Sequence, residues 1–144
     1  QDMDANGYRL PTEAEWDFAA IGGGSSKNYK YSGGNILGAV AWYSENSNDY
    51  LHPVGTKAAN ELGICDMSGG VREWIWNWYD YPPQSGTNPT GPTTGYTKNL
   101  LGETFQTSSS SFSALRDSDG EFERLTRVDP WDTDGLTGFR VVRR

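Results

Sequence analysis

The clearest alternation of large apolar and polar residues lies near the middle of the chain, between Asn60 and Tyr79. Trp74, Trp76 and Trp78 are spaced two residues apart within this stretch. Successive side chains of a β-strand point to opposite faces, so residues at positions i, i+2 and i+4 share one face. The pattern therefore predicts a strand with three tryptophans in a row on one side, which we call the tryptophan strand.

A helical pattern precedes this strand, close to the N-terminus. Thr12 followed by Glu15 has the spacing of a capping box, in which each side chain satisfies a free backbone N–H of the other residue. Trp16, Ala19 and Ala20 give the helix one apolar face, and Gly22–Gly24 can end it. The sequence predicts a helix of about two turns.

The C-terminal half has two further strand patterns with a polar stretch between them. Leu100–Leu101 begins a strand that ends at Gly102, and Gly138–Arg143 alternates like a terminal strand that pairs with the central sheet. A polar stretch held between two strands is typical of a display surface rather than of a tail. Pro82–Gly95 has no periodicity and is predicted to be a long loop, ordered where it packs on the tryptophan strand.

Composition narrows the class of protein. The chain has 144 residues, of which 35% are hydrophobic, 13% are aromatic and 18 are glycines. These values favour a single loop-rich domain whose core consists of a few large rings. The net charge of −7 disfavours nucleic acid and anionic membrane surfaces as partners, because both require clustered lysine and arginine. No apolar run reaches the about 20 residues of a membrane span, and the N-terminus lacks signal-peptide features.

The cysteine and histidine contents disfavour several classes of site. The single cysteine, Cys65, has no partner for an internal disulfide and is expected to be a plain buried thiol. The single histidine, His52, cannot form a zinc site with a second imidazole, so we expect it to make a structural hydrogen bond. No Gly-x-Ser-x-Gly elbow accompanies the serines, which disfavours a serine hydrolase.

Two carboxylates flank a glycine turn just before the tryptophan strand. Asp66 and Glu73 lie on either side of Gly69–Gly70, so their oxygens and the free carbonyls of the turn can converge on one point. A hard cation such as calcium is bound by oxygen clusters of this kind. In the alternative, Glu73 pairs with Arg72 or caps a turn, and no metal is bound.

A series of short motifs runs along nearly the whole chain. The motifs are Gly7–Trp16, Ala41–Tyr43 with Glu45–Ser47, His52–Gly55, Asn60–Gly63, Asp66–Gly69, Glu73–Trp74 and Gly138–Arg143. In this order they resemble the motifs of the formylglycine-generating enzyme, or sulfatase-modifying factor, family. The resemblance implies a single domain over 1–144 with an α+β, C-type-lectin-like fold: a small twisted antiparallel sheet, few short helices and long loops. Family members carry a further strand and helix before Gly7, so this copy is expected to be contracted or a fragment.

The same resemblance bears on the metal site. Asp66, Glu73 and the backbone carbonyls of Gly69 and Val71 match positions that form a calcium site in the enzymes. Calcium is therefore a candidate ligand, although no cofactor is required. Arg72 stands where the family usually has tryptophan and places a cation nearby, which keeps the alternative without metal open.

The chain departs from the family at the positions that carry out catalysis in the enzymes. The active enzymes oxidise a substrate cysteine with copper and a pair of cysteines, which follow a segment that reads Arg-Gly-Gly-Ser-Trp. Here that segment is Leu101–Phe105, and Thr107 and Phe112 hold the positions of the two cysteines. A threonine hydroxyl cannot replace a thiolate as a soft copper ligand, and phenylalanine offers no ligand. This disfavours the oxidase activity, and no catalytic residue is assigned.

A non-catalytic branch with the same fold fits the sequence better. The variable proteins of diversity-generating retroelements resemble this chain in carrying a hypervariable segment between a Gly-Gly-x-Trp-like strand and a terminal Gly-Phe-Arg-Val-Val strand. Adenine mutagenesis turns asparagine codons mainly into Ser, Asp, Gly, Thr, Tyr, Phe, Leu or Arg, and Ser108–Leu136 is rich in these types. We therefore expect the candidate variable segment, 104–136, to bind a ligand. The alternative is a catalytically divergent enzyme of the same family.

The residues of this segment suit binding to a protein or glycan on a target surface. Aromatic rings supply apolar anchors, short polar groups supply adaptable hydrogen bonds, and arginine supplies charged forks, a mixture like that of antibody paratopes. In the alternative, some of the rings are core residues and the rest is a solvated loop. The candidates are Thr107, Ser108, Ser110, Phe112, Asp117, Asp119, Phe122, Arg124, Thr126, Trp131, Asp132 and Asp134. A display role implies a surface-exposed location, on a virion or a cell envelope.

Overall fold

The computed structural model describes residues 6–79, 86–87, 89–115, 126–131 and 134–143. Within these ranges the protein is α+β, with short helices and small sheets, as the sequence predicts. The helices are α1 (Glu13–Ala20), α2 (Leu37–Val40) and α3 (Ser44–Ser47), and a 3-10 turn covers Gly23–Ser25. The strands are β1 (Tyr8–Arg9), β2 (Arg72–Trp78), β3 (Lys98–Leu101), β4 (Thr126–Val128), β5 (Thr137–Phe139) and β6 (Val142–Arg143). No helix of the described residues is long and apolar enough to cross a membrane.

The described strands form two sheets that share the C-terminal segment. A four-stranded sheet has the order β4-β3-β2-β5, and a two-stranded sheet pairs β1 with β6. Strands β2, β3 and β4 pair antiparallel, as expected, whereas β5 runs parallel to β2. The parallel pair arises because the chain crosses from β4, at one edge of the sheet, to β5, at the other.

Helix α1 begins and ends as the sequence predicts. The backbone N–H of Glu15 donates to Thr12 Oγ1 (3.2 Å), and the N–H of Thr12 donates to Glu15 Oε2 (2.9 Å), which is the predicted capping box. The helix ends at Ala20, and Gly22 follows with a φ of 87°. A left-handed residue of this kind is most readily glycine.

The two faces of β2 have different roles. Glu73, Ile75 and Asn77 are buried, and Ile75 packs in a core cluster with Trp16 of α1. The three tryptophans lie on the opposite face and are half-buried. The strand prediction is confirmed, and the core does contain large rings such as Trp16, but the tryptophan row of β2 is not among its fully buried residues.

The C-terminal segment does not form one strand. Thr137–Phe139 joins the central sheet beside β2, as expected of a centrally pairing element. The segment then leaves that sheet at Arg140, and Val142–Arg143 pairs with β1. The prediction of one continuous terminal strand is therefore wrong, because the segment leaves the central sheet where Arg140 turns towards the buried Glu73.

Candidate functional site

The first part of the candidate variable segment is held at both ends by backbone hydrogen bonds. The N–H of Ser44 donates to the carbonyl of Thr107 (3.0 Å), and the N–H of Leu115 donates to the carbonyl of Lys30 (2.8 Å). Leu115 itself is buried in the core cluster that contains Trp16. The stretch between these anchors is therefore presented by a fixed frame.

Phe112 is a core residue rather than a ligand anchor, which corrects the prediction made for it. Its side chain is only 5% exposed and packs with Tyr31, Val40 and Ala41. Its ring meets the ring of Tyr31 edge-on at 5.8 Å between centroids and that of Tyr43 at 6.2 Å. Flanked by serines, this phenylalanine leaves water by entering the space between the two tyrosines.

Thr107 is half-buried and bonded internally. Its hydroxyl donates to Glu103 Oε2 (3.2 Å) and lies 3.2 Å from the hydroxyl of Thr104. Ser113 donates to the other oxygen of Glu103 (3.3 Å). Thr107 therefore belongs to a polar cluster centred on Glu103 that braces the segment from within.

An acidic residue of α3 fixes the turn that carries the serines. Ser109 donates its backbone N–H (2.9 Å) and its hydroxyl (2.6 Å) to Glu45 Oε1. These bonds, the hydroxyl first, hold the pKa of Glu45 below its usual range. Neither residue was among the sequence-predicted site residues, although Glu45 lies in one of the motifs that carry the family resemblance.

Three of the described candidates, Ser110, Trp131 and Asp134, are exposed. Ser110 is exposed and Ser108 is half-buried, with 3.0 Å between their hydroxyls. Trp131 is 86% exposed. Asp134 is exposed and pairs with Arg72. The N–H of Leu136, which donates to the Asp134 carboxylate, is the largest cause that lowers its pKa.

Six further candidates lie on β4 or outside the described residues. Thr126 begins β4, next to Leu100 of β3. The other five, Asp117, Asp119, Phe122, Arg124 and Asp132, lie outside the described residues.

Glu73 is neutralised by an arginine from the C-terminal segment. Arg140 donates from Nε to Glu73 Oε2 (2.5 Å) and from Nη2 to Oε1 (2.6 Å), and Trp16 Nε1 also donates to Oε2 (2.6 Å). The Glu73 side chain is only 8% exposed. Its partner is thus Arg140, whereas Arg72, the partner weighed from the sequence, pairs with Asp134.

Arg140 also reaches the turn that was expected to supply calcium ligands. Its Nη2 donates to the carbonyl of Asp66 (3.2 Å), and the carbonyl of Cys65 lies 3.4 Å away. The Asp66 carboxylate accepts the N–H of Gly55 (2.6 Å). In the described part of the chain, no three His, Cys, Asp or Glu side chains are grouped to hold a metal ion.

Of the predicted calcium ligands, which are Asp66, Gly69, Val71 and Glu73, both carboxylates accept hydrogen bonds from the protein in this arrangement. Calcium takes six to eight oxygen ligands. Both oxygens of Glu73 instead face hydrogen-bond donors, and a guanidinium already supplies the positive charge. The residues fit an internal ion pair better than they fit a bound ion.

A groove of about 440 Å³ lies beside this ion pair. His52, Cys65 and Phe139 are among the residues that line it. His52 Nε2 lies 2.9 Å from the carbonyl of Ser47, in agreement with the predicted structural hydrogen bond, and its ring stacks on Trp42 at 3.6 Å. Cys65 is half-buried rather than fully buried.

Comparison with known proteins identifies the fold and the family. A family model described as the sulfatase-modifying factor enzyme 1-like domain matches residues 3–144. The chain belongs to this family. The resemblance inferred from the motifs is confirmed, as is the α+β, C-type-lectin-like fold.

Individual relatives include enzymes and a variable protein. The structure of Treponema denticola variable protein 1, of the retroelement class, matches with a TM-score of 0.79 and 34% identity over 97% of this chain and 49% of that chain. The chaperone protein LppX of Paenibacillus barcinonensis is 50% identical over 95 residues, 54% of this chain and 34% of its own length. The formylglycine-generating enzyme of Streptomyces coelicolor is 30% identical over 115 residues, 69% of this chain and 36% of the enzyme.

The chain spans about a third of the length of these two sequence relatives and about half of the variable protein. The likeness to the variable protein supports a ligand-binding role at the level of the family.

Proposed function

We propose that this domain is a non-catalytic ligand-binding module of the retroelement variable-protein type. Its surface segment within 104–136 binds a protein or a glycan on a target surface. The proposal rests on the different burial of Phe112 and of the serines that precede it. Phe112 fills the core between Tyr31 and Tyr43, while Ser109–Ser111 remain exposed.

Such an arrangement suits a surface on which side chains can change while the backbone stays in place. The anchors are backbone bonds at Thr107 and Leu115 and the buried ring of Phe112. The serine side chains between them contribute little to the core, and surface substitutions of this kind usually change stability by about 0.5 kcal/mol or less. These serines can therefore be replaced by residues that suit a ligand without loss of the fold.

The exposed groups can make the contacts that such a ligand needs. Trp131, 86% exposed, offers a large ring that loses little conformational entropy on binding. Ser110 and Asp134 offer a hydroxyl and a carboxylate on the surface. An apolar anchor surrounded by short polar groups is the usual composition of an adaptable binding surface.

The same positions argue against the oxidase reaction of the family. The chain has one cysteine, so it has no pair of thiolates for copper. Phe112 occupies the second cysteine position with a buried ring, and the Thr107 hydroxyl is bonded to Glu103. A hydroxyl and a phenyl ring are poor ligands for a soft copper ion.

A pair of libraries tests the display role. The first randomises Ser108, Ser110, Ser111 and Trp131, and the matched control randomises Phe112 alone. We expect most members of the first library to keep a cooperative thermal transition and most members of the second to lose it. If the first library unfolds as often as the second, the segment is structural and the display role is wrong.

Binding and catalysis are tested with the folded members of the first library. Selection on immobilised protein and glycan targets should enrich different residues at positions 108, 110, 111 and 131 for different targets. Incubation of the wild-type chain with copper(I) and a cysteine-containing peptide should yield no aldehyde. Aldehyde formation, or enrichment that ignores these four positions, would overturn the proposal.

A further inference from the structure

We infer that the tryptophan face of β2 carries a second binding site, which takes an acidic saccharide: a pyranose ring that bears a carboxylate. The site is a groove of about 550 Å³, within the range of about 300–1,000 Å³ that is usual for small-molecule sites. Trp76, Trp78, Thr90–Thr93 and Lys98 line it together with Leu10. We call it the tryptophan groove.

The strand places Trp76 and Trp78 on one face, and both line this groove. Trp76 and Trp78 share the face of β2 that lies opposite the buried Ile75 and Asn77. Residues two apart on a strand are separated by about 6–7 Å. The N–H of Trp76 donates to the carbonyl of Pro11 (2.7 Å), which brings the neighbouring Leu10 to the groove.

Two glycines let the loop of residues 90–95 lie close to the strand. A Cβ atom at Gly95 would be 2.7 Å from Cβ of Trp78. One at Gly91, whose φ is +73°, would be 2.7 Å from Nδ2 of Asn77. The loop therefore forms a fitted boundary of the groove, and it brings Thr90 and Thr93 to its lining.

Lys98 places a positive charge among these groups. Its Nζ donates to the carbonyl of Trp76 (2.5 Å) and lies 4.1 Å from the centroid of the Trp78 ring. Among the residues that the structure describes, none that lines the groove carries a carboxylate, and none forms a salt bridge with Lys98. Burial lowers the pKa of Lys98. In a chain with a net charge of −7, this half-buried ammonium would gain from an anionic ligand.

The combination of groups specifies the ligand class. An indole face that is open to the groove can stack on the apolar C–H face of a sugar, whereas one face of the Trp78 ring already carries the Lys98 ammonium. The ammonium of Lys98 can form a charge-assisted hydrogen bond with a carboxylate, and the threonine hydroxyls can bind sugar hydroxyls. A neutral sugar would use the ring surface and the hydroxyls but would bring no countercharge to Lys98.

The tryptophan groove is distinct from the proposed variable surface. The described residues that line it lie outside 104–136. Sequence variants of that segment would therefore share this site. The scaffold would have one constant saccharide site and one surface whose ligand differs from variant to variant.

Calorimetric titration of the full chain with digalacturonate tests this inference. The matched neutral ligand is the galactose disaccharide of the same linkage. We expect the acidic disaccharide to bind at least about tenfold more tightly than the neutral one, which is the usual effect of one hydrogen bond to a charged group. Equal affinity for the two sugars, or no binding of digalacturonate, would overturn the inference.

Variants then locate the site. Lys98→Met should weaken digalacturonate binding at least about tenfold and leave the neutral sugar unaffected. Lys57→Met is the matched control, because Lys57 also lies over an indole ring, that of Trp42, at 3.8 Å, but outside the groove. Equal losses in the two variants would contradict the assignment.

A measurement on the wild-type chain avoids any dependence on folding of the variants. Digalacturonate should shift the indole N–H resonances of Trp76 and Trp78 in a two-dimensional NMR spectrum, while that of Trp16, which is buried in the core, stays in place. Shifts confined to other tryptophans would place the ligand elsewhere and overturn the inference. The library experiment on the variable segment is unaffected by either result.

Discussion

Arg140 holds the carboxylate of Glu73 through two hydrogen bonds, from Nε to Oε2 at 2.5 Å and from Nη2 to Oε1 at 2.6 Å. Glu73 lies on the buried face of β2, so removal of the guanidinium leaves a carboxylate in the interior without a countercharge. Breaking a buried pair in this way costs about 3–5 kcal/mol. We expect Arg140→Met to lower the free energy of unfolding, measured with urea, by an amount in that range.

Arg143→Met is the matched control for this change. Arg143 is exposed, and its guanidinium lies 6.0 Å from the ring centroid of Tyr8. Surface substitutions of this type usually change stability by about 0.5 kcal/mol or less. Equal stability of the two variants would show that the Glu73–Arg140 pair contributes little.

The same pair leads to a prediction about calcium. Because both oxygens of Glu73 already accept hydrogen bonds, we expect neither added calcium nor a chelator to change the melting temperature of the wild-type chain. A ligand that binds only the folded state would raise it, by an amount that grows with the logarithm of the ligand concentration above Kd. A calcium-dependent rise that Asp66→Ala abolishes would instead place a calcium ion at Asp66 and contradict this prediction.

The ion pair at the start of α1 predicts a dependence on pH. The hydrogen bond from Arg9 is the largest cause that lowers the pKa of Glu15. A carboxyl with a lowered pKa in the folded state stabilises the protein above its unfolded pKa, and this contribution is lost as the pH falls through the folded value. Glu15→Gln should therefore be destabilised by about 0.2–1 kcal/mol at neutral pH, and the difference from wild type should close on acidification.

Glu13 on the same helix provides the opposite case. Burial raises the pKa of Glu13, so its contribution is present at low pH and is lost as the pH rises through the folded value. Relative to wild type, Glu13→Gln should gain stability between acidic and neutral pH, whereas Glu15→Gln should lose it. Urea denaturation at both pH values measures the two slopes, and slopes of the same sign would contradict the assignment.

We expect alanine substitutions at the adjacent Gly69 and Gly70 to differ in their cost to stability. Gly69 and Gly70 have φ values of 72° and 81°, so alanine is disfavoured at both. A Cβ at Gly69 would lie 2.3 Å from the carbonyl oxygen of Trp42, whereas a Cβ at Gly70 meets nothing within 4 Å. Gly70→Ala should cost about 1–2 kcal/mol, and Gly69→Ala should cost substantially more in the same denaturation experiment. Equal costs would show that backbone conformation, not contact with Trp42, governs this turn.

The sequence predicted the elements whose causes are local. The capping box of Thr12 and Glu15 and the alternation of the tryptophan strand both depend on residues within a few positions of each other. The role of Phe112 was not predictable in this way, because its burial depends on the space between Tyr31 and Tyr43, which are distant in sequence. Its position among serines indicated exposure.

Long-range partners account for the other differences. The partner of Glu73, Arg140, lies 67 residues further along the chain. No local pattern indicated that Glu73 pairs with Arg140 and not with Arg72, its neighbour in sequence. Alternation indicated that the tryptophans share a face, but it did not reveal which face of β2 meets α1. The core lies on the side of Ile75 because Trp16 of α1 packs there.

The long sequence separation of Glu73 and Arg140 delays the formation of their ion pair during synthesis. Strand β2 leaves the ribosome with its row of tryptophans and with Glu73, but the arginine that neutralises Glu73 follows 67 residues later. At about 5–20 residues per second, this delay lasts about 3–13 s. In a nascent chain the carboxylate of Glu73 therefore waits for seconds before Arg140 is available to pair with it.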